Sequence, residues 1–117
     1  MNLNEKIISL LGSTGMPVEQ DEYIGEEKKY IVFIYEDEEP AAYGDNKPSA
    51  DTAYIQIQLI TPKNFNYFEL KDKIRDLLEE ADFSVTSIRS RLGDVYFGTE
   101  KIRQTIFQVE YTEGRRS

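Results

Sequence analysis

The chain has 117 residues, of which 39% are hydrophobic and 12% aromatic, and its formal net charge at pH 7 is −8. A chain of this length buries roughly two thirds of its unfolded surface in one core, and the aromatic share argues against disorder. The absence of cysteine and histidine excludes disulfides, thiolate catalysis and the commonest general base and metal ligand. We expect one domain over residues 1–117, with a frayed polar tail at 113–117.

Charge is unevenly distributed along the sequence. Residues 1–82 carry 8 basic and 18 acidic side chains, a net −10, whereas residues 83–117 carry 6 and 4, a net +2. This distribution suits either a solvated surface or two oppositely charged faces, and it disfavours nucleic-acid binding by the whole surface. Because no apolar run approaches the ~18 residues of a membrane helix and no signal-peptide pattern is present, we expect a soluble cytoplasmic protein without a membrane partner.

The first predicted elements are a short helix and an apolar strand. Residues 2–11 predict the helix, since Asn2 or Asn4 can cap its start and Gly12 can end it. Residues 30–35 form a run of β-branched and aromatic side chains, which predicts a strand contacted on both faces.

Residues 36–51 predict a long loop, because they combine two prolines with the turn sequence Gly44-Asp45-Asn46. Sixteen residues is long for a connection within one domain, so the segment is either functional or mobile. Its apolar centre, which could fold back on the domain as a flap or dock on a partner, consists of Pro40, Ala41, Ala42 and Tyr43.

The middle of the chain predicts a half-buried strand followed by a helix. In residues 52–61 apolar side chains alternate with polar ones, and Pro62 ends the strand. Asn66 can cap a helix that continues to residue 81. We expect the apolar stripe of this helix to face the strand, with Ile74 and Leu77 at its centre. The stripe consists of Leu70, Ile74, Leu77, Leu78 and Ala81.

Two further strands are predicted at 83–88 and 101–112, whereas residues 92–99 match no pattern that assigns them a structure. The predicted order is helix, strand, strand, helix, strand, strand. We therefore expect an α+β fold, a single small domain with a mainly antiparallel sheet of about four strands packed by two helices.

The sequence contains no phosphate loop, glycine fingerprint or nucleophile elbow. The acidic run 36–39 lacks calcium-loop spacing, and the pair Asp76 and Glu80 is typical of an exposed helix face rather than a metal site. We expect no catalytic residues, no metal and no cofactor. An enzyme that uses aspartate and tyrosine side chains remains the weakest alternative.

Three stretches together carry a family resemblance: YIVFIYEDEEPAAYGDNKP, TAYIQIQLITPKNFNYFELKDKIRDLLEEADF and KIRQTIFQVEYT. They resemble the tail completion proteins of long-tailed phages and prophages of Gram-positive bacteria, also called tail terminator or head-tail joining proteins. The resemblance covers roughly residues 28–112. The matching loop positions are Pro40, Tyr43, Asp45 and Asn46, followed by a YIQV-type strand at 54–57 and an Asn-Tyr helix start at 66–67.

The resemblance implies a small α/β domain that caps the tail tube and connects it to the head, commonly as a hexameric ring. It implies as partners further copies of the chain, tail-tube proteins and head-connector proteins. We also expect no sequence-specific nucleic-acid binding. It places the protein at the tail-head junction of the virion, and in the host cytoplasm during assembly. The alternative is a small non-enzymatic bacterial binding or regulatory module that acts as a monomer or dimer.

A ring needs two different surfaces on each copy, and the charge asymmetry suggests which they are. We expect an acidic flank that includes residues 36–39 and a basic flank from the last part of the chain. The candidate interface residues are Pro40, Ala41, Ala42, Tyr43, Asp45, Asn46, Arg89 and Arg91.

Overall fold

In a computed structural model, which describes residues 2–44, 47–97 and 100–115, the chain is a small α+β domain with two helices and a five-stranded mixed sheet. The sheet order is β1-β2-β3-β5-β4. The elements in chain order are α1 Leu3–Gly12, β1 Val18–Gln20, β2 Tyr30–Gly44, β3 Lys47–Pro62, α2 Phe68–Glu80, β4 Ser84–Phe97 and β5 Glu100–Gly114.

The predicted fold class and both helices are confirmed, but the sheet has one more strand than expected. β1 is only three residues long and pairs in parallel with residues 31–33 of β2, while all other neighbours are antiparallel. So short a strand has no detectable alternation of its own, and its existence depends on the neighbour that supplies its hydrogen bonds.

The loop predicted at residues 36–51 is wrong for 36–44 and 47–51, where β2 and β3 continue and pair as a hairpin. Asp37 pairs with Tyr54, and the pairing continues to Gly44 and Lys47 after a bulge at Glu36. We call the part of this hairpin made by residues 36–51 the arm. Its outer strand is exposed from residue 36 to Pro40, so no apolar alternation marks it as a strand.

The arm helps to make the molecule elongated, with principal extents of 58 × 24 × 23 Å and a radius of gyration of 15.7 Å. A compact domain of this length has a radius of gyration of about 13 Å. The two hairpins, β2–β3 and β4–β5, lead to opposite ends of the sheet. Ala50, near the start of β3, pairs with Gly114 at the end of β5, and Pro62, at the end of β3, pairs with Ile102 near the start of β5.

Both helices cover the same face of the sheet. Ile7 and Leu11 of α1 and Ile74 and Leu78 of α2 are fully buried. They belong to one cluster with strand residues that alternate along the sheet, namely Ile31, Phe33, Ala53, Ile55, Ile57, Leu59, Phe107 and Val109. We call this the helix-covered face and the opposite side the helix-free face.

The predicted centre of the α2 stripe is right for Ile74 and wrong for Leu77. Ile74 and Leu78 are fully buried, whereas Leu77 is half-buried and lies outside the core cluster. The helix also begins one residue later than a cap at Asn66 would require, and the Asn66 side chain accepts a hydrogen bond from the Phe68 amide at 3.3 Å. An apolar stripe in a sequence is wider than the line of closest contact, so spacing alone does not select its centre.

On the helix-free face, the segment between β1 and β2 covers part of the sheet. The ring of Tyr23 packs on that of Tyr30 at a centroid distance of 4.4 Å. Val32 and Ile60 beneath this segment are buried, although they point away from the helices. Within the described residues, no helix covers the remainder of this face, around the half-buried Gln56 and Gln108.

Candidate assembly surface

No cluster of three or more acidic side chains arranged to hold a metal ion occurs within residues 2–44, 47–97 and 100–115. In the same ranges, neither helix has the length and apolar composition needed to cross a membrane. The candidate interface residues within the described ranges lie on β2 and β4.

The structure distributes the candidate residues of the arm along its outer strand. Pro40 is exposed, and Ala41 is half-buried opposite Ala50. Ala42 and Tyr43 also belong to β2, and Tyr43 pairs with Pro48 across the hairpin. Asp45 and Asn46 lie outside the described residues.

The acidic run lies on an outer edge of the sheet. β1 pairs with β2 only at residues 31–33, so from residue 34 onwards no described strand lies outside β2. The side chains of residues 36–39 are all exposed on this edge. Within a β-strand, carboxylates that follow one another point alternately to the two faces, so negative charge lies on both sides of the arm.

The two candidate arginines lie on the opposite outer edge. Arg89 and Arg91 are exposed on β4, level with Ile106 and Gln104 of β5. The Nε of Arg91 donates a hydrogen bond to the side-chain oxygen of Gln104 at 3.3 Å. No carboxylate of the described residues forms an ion pair with either arginine.

The fold thus separates the predicted acidic and basic residues within one copy, by the full width of the antiparallel sheet. Leu92, the next residue on β4, exposes 41% of its surface on the helix-covered side, level with Thr61 across β5. Sequence reasoning missed Leu92, because it lies in a segment to which no structure could be assigned. A basic edge with an exposed apolar side chain is suited to a protein contact.

Negative charge is also concentrated on the helix-free face at the base of the arm. The hydroxyl of Tyr54 donates to Oε2 of Glu39 at 3.2 Å. Desolvation raises the pKa of Tyr54, and the carboxylates of Glu39, Glu110 and Asp37 raise it further. The charged neighbours of this tyrosine are therefore anions, which leaves the base of the arm able to attract a cationic partner.

The other face of the arm base is closed by the C-terminal part of the chain. The guanidinium of Arg115 donates to both oxygens of Asp51, at 2.6 and 2.8 Å, and its amide donates to the carbonyl of Ser49 at 2.8 Å. The frayed tail predicted for residues 113–117 is therefore wrong for 113–115, and 116–117 lie outside the described residues. Pairing with a neighbouring strand overrides the polar composition of this segment.

The pair of Arg115 and Asp51 predicts a small pH dependence of stability. The hydrogen bond from Arg115 lowers the pKa of Asp51 below its ordinary value of 3.8. Because the folded pKa is the lower one, the stabilisation is present above pH 3.8 and is lost as the pH falls through the folded value. The melting temperature of Asp51→Asn should therefore lie below that of the wild type at neutral pH and converge with it in acid. Glu19→Gln, at an exposed site on β1, is the control; a gap at pH 7 that persists unchanged in acid would contradict the expectation.

A groove of about 380 Å³ lies between the start of α1 and the base of the arm. Lys6 of α1 donates to the hydroxyl of Tyr111 at 2.7 Å, and the Tyr35 hydroxyl donates to the side-chain oxygen of Asn4. These contacts join residues from three elements that are far apart in sequence, so no local pattern could have indicated the groove. They hold α1 against β2 and β5.

No family model matches the chain, and it has no significant match among curated proteins. Among solved structures, a protein whose name states no function resembles the chain. The match covers 99% of the chain and 100% of that protein. The TM-score is 0.45 and the sequence identity 11%. A likeness this distant carries no argument about what the chain does.

Proposed function

We propose that the chain is a non-enzymatic phage or prophage morphogenesis protein that caps the tail tube and joins the tail to the head. In this proposal copies of the chain form a ring, a hexamer as in the family that the sequence resembles. The ring contacts tail-tube and head-connector proteins at the head-proximal end of the tail, after assembly in the host cytoplasm.

The observation that supports a ring most directly is the position of the charged residues on the sheet. The acidic edge of β2 and the basic edge of β4 lie on opposite sides of one copy, and neither edge has a described strand outside it. A closed ring requires such a pair of different, complementary surfaces, since each copy must meet the next in the same way. Opposite charges favour this head-to-tail contact, while two acidic edges or two basic edges repel each other.

The groove beside α1 favours a second candidate, a small binding or regulatory module. It combines the rings of Tyr35 and Tyr111 with carboxylates such as Glu38, a mixture that suits a small ligand or peptide. The molar mass in solution, measured by light scattering coupled to size-exclusion chromatography, separates the candidates. A ring has several times the mass of the chain, whereas the module has the mass of one or two copies.

Electron micrographs of phage lysates test the function. One lysate comes from a strain that lacks the gene for the chain, and the other from the same strain with the gene supplied in trans. We expect deletion to leave heads and tails unjoined, and the wild-type gene to restore joined particles. Arg89→Glu with Arg91→Glu should fail to restore them although the subunit folds, because the variant replaces the basic edge by an acidic one.

The matched control is Lys28→Glu with Lys73→Glu, which changes net charge equally at exposed sites outside residues 36–39 and 89–91. We expect this control to restore joined particles, and circular dichroism to show the same fold for both variants. Joined particles in the deletion lysate would refute the proposed function. Full rescue by the arginine variant would show that these arginines do not form the joint.

A further inference from the structure

The structure suggests how neighbouring copies would join, an inference that rests on the ring of the proposed function. We propose that residues 37–39 of one copy add as an antiparallel strand to residues 89–91 of the next. In this register Glu39 lies opposite Arg89 and Asp37 lies opposite Arg91. The sheets of successive copies then join at this segment. The end of β4, residues 96–97, bends away from the neighbour, because this register brings it level with residues 32–33 of β2, where β1 already pairs.

The two strand edges required for this pairing are available in a single copy. β1 covers β2 only up to Phe33, so the outer edge of residues 37–39 has no described strand beside it. β4 is the last strand on the other side, and the described residues place no strand outside it. Exposed edges of this kind are the usual site at which another chain adds a strand.

The direction of the pairing follows from the topology. β2, β3, β5 and β4 are each antiparallel to the next strand in the sheet, so β2 and β4 run in opposite directions. If successive copies keep the same orientation, as cyclic symmetry requires, β4 of one copy meets β2 of the next in antiparallel fashion. The faces also agree, because Asp37 and Glu39 share the helix-free face with Arg89 and Arg91.

The register follows from matching both charges at once. The level of a residue along the sheet is given by the β3 residue with which it pairs, directly or through β5. Asp37 is level with Tyr54 of β3 and Arg91 is level with Ile60, an offset of six residues. Glu39 is level with Thr52 and Arg89 with Gln58, which is the same offset. One displacement of a neighbouring copy therefore forms both pairs.

This displacement has the size that closure of a sheet requires. Six residues correspond to about 20 Å along a strand, and four strands span about 19 Å across the sheet. The resulting strand tilt is about 45°, at the upper end of the range of about 35–45° found in closed barrels. An offset that is even also keeps each side chain on its own face.

The same register brings an apolar pair together on the helix-covered face. Tyr35 is level with Ile55 of β3, and Leu92 is level with Thr61, so these two residues also differ by six positions. Leu92 is 41% exposed in the single copy, and Tyr35 is half-buried. Their contact would remove from water an apolar side chain that the isolated fold leaves exposed.

The acidic run and Pro40 would also protect the β2 edge from unwanted pairing. Four carboxylates at residues 36–39 oppose the approach of a second β2 edge, but they attract the basic edge of β4. Pro40 has no amide donor, so the proposed pairing ends before it. The bulge at Glu36 limits it on the other side, which leaves residues 37–39 as the recognition segment.

Disulfide trapping tests this register, since the chain has no cysteine of its own. Residues directly opposite in an antiparallel pair have Cα atoms about 4.5–5.5 Å apart, within reach of a disulfide. Within one copy, residues 39 and 89 are separated by three strand spacings and six residues, roughly 25 Å, so they cannot bridge. Mild oxidation of Glu39→Cys with Arg89→Cys should convert monomer into a ladder of covalent oligomers that ends at the ring.

The matched control is Glu39→Cys with Ser87→Cys, which moves the second cysteine two residues along the same face, out of disulfide range. The three variants with a single cysteine, at position 39, 87 or 89, control for contacts between like edges. We expect the monomer to persist in these three variants and in the control pair.

A ladder with Ser87→Cys but not with Arg89→Cys would overturn the register. If light scattering gives the mass of a ring but oxidation produces no ladder, the strand pairing is overturned and the ring itself is not. Monomer mass without a ladder in every variant would overturn the pairing too. The proposed function fails separately, if heads and tails join without the chain.

Discussion

Replacing Leu78 by alanine is expected to lower the free energy of unfolding by about 2–5 kcal/mol, a large part of the ~5–15 kcal/mol that holds a domain together. Leu78 is fully buried on α2 against the sheet, so truncation removes its apolar contacts and leaves a cavity. The adjacent Leu77 is half-buried at the side of the same helix. Leu77→Ala should therefore cost only about 1 kcal/mol, because less apolar surface is lost.

The two leucine variants control for each other, since they change the same side chain at neighbouring positions of one helix. Urea unfolding at pH 7 measures both midpoints. Equal slopes of the free energy of unfolding against urea concentration would show that the denatured states are comparable. A larger loss for Leu77→Ala than for Leu78→Ala would mean that α2 is rotated about its axis relative to the structure described.

Replacing Phe107 by alanine is expected to cost about 3–5 kcal/mol, among the largest single losses that we expect in the sheet. Phe107 is fully buried on β5, between Ile57 of β3 and Ile88 of β4, and it belongs to the cluster beneath the helices. Both neighbouring strands and the helices lose contacts when the ring is removed, and a central position cannot relax easily to fill the space.

Ile106 is the matched control for Phe107, because the next residue of the strand points to the helix-free face and is half-buried. Ile106→Ala should cost about 1 kcal/mol in the isolated subunit. Thermal and urea unfolding of both variants measure the two losses in stability. Comparable losses at the two positions would mean that the helix-free face is as tightly covered as the other.

The sequence by itself determined the parts of this fold where one face of an element is buried and the other is not. Ile55 and Ile57 alternate with glutamines and lie in β3, and the spacing of Ile74 and Leu78 indicated an amphipathic helix that the structure contains. In such segments the periodicity of burial is the periodicity of the sequence, so the pattern can be read without knowing the neighbours.

The tertiary structure alone decided the arm, β1 and the position of the charged residues. The arm is exposed along residues 36–40, and β1 has three residues, so neither shows a pattern of burial from which a strand can be predicted. Their conformation depends on hydrogen bonds from strands distant in sequence. That the acidic run and Arg89 lie on opposite edges of one sheet follows only from the order in which the strands are placed, β1-β2-β3-β5-β4, and spacing along a chain carries no information about that order.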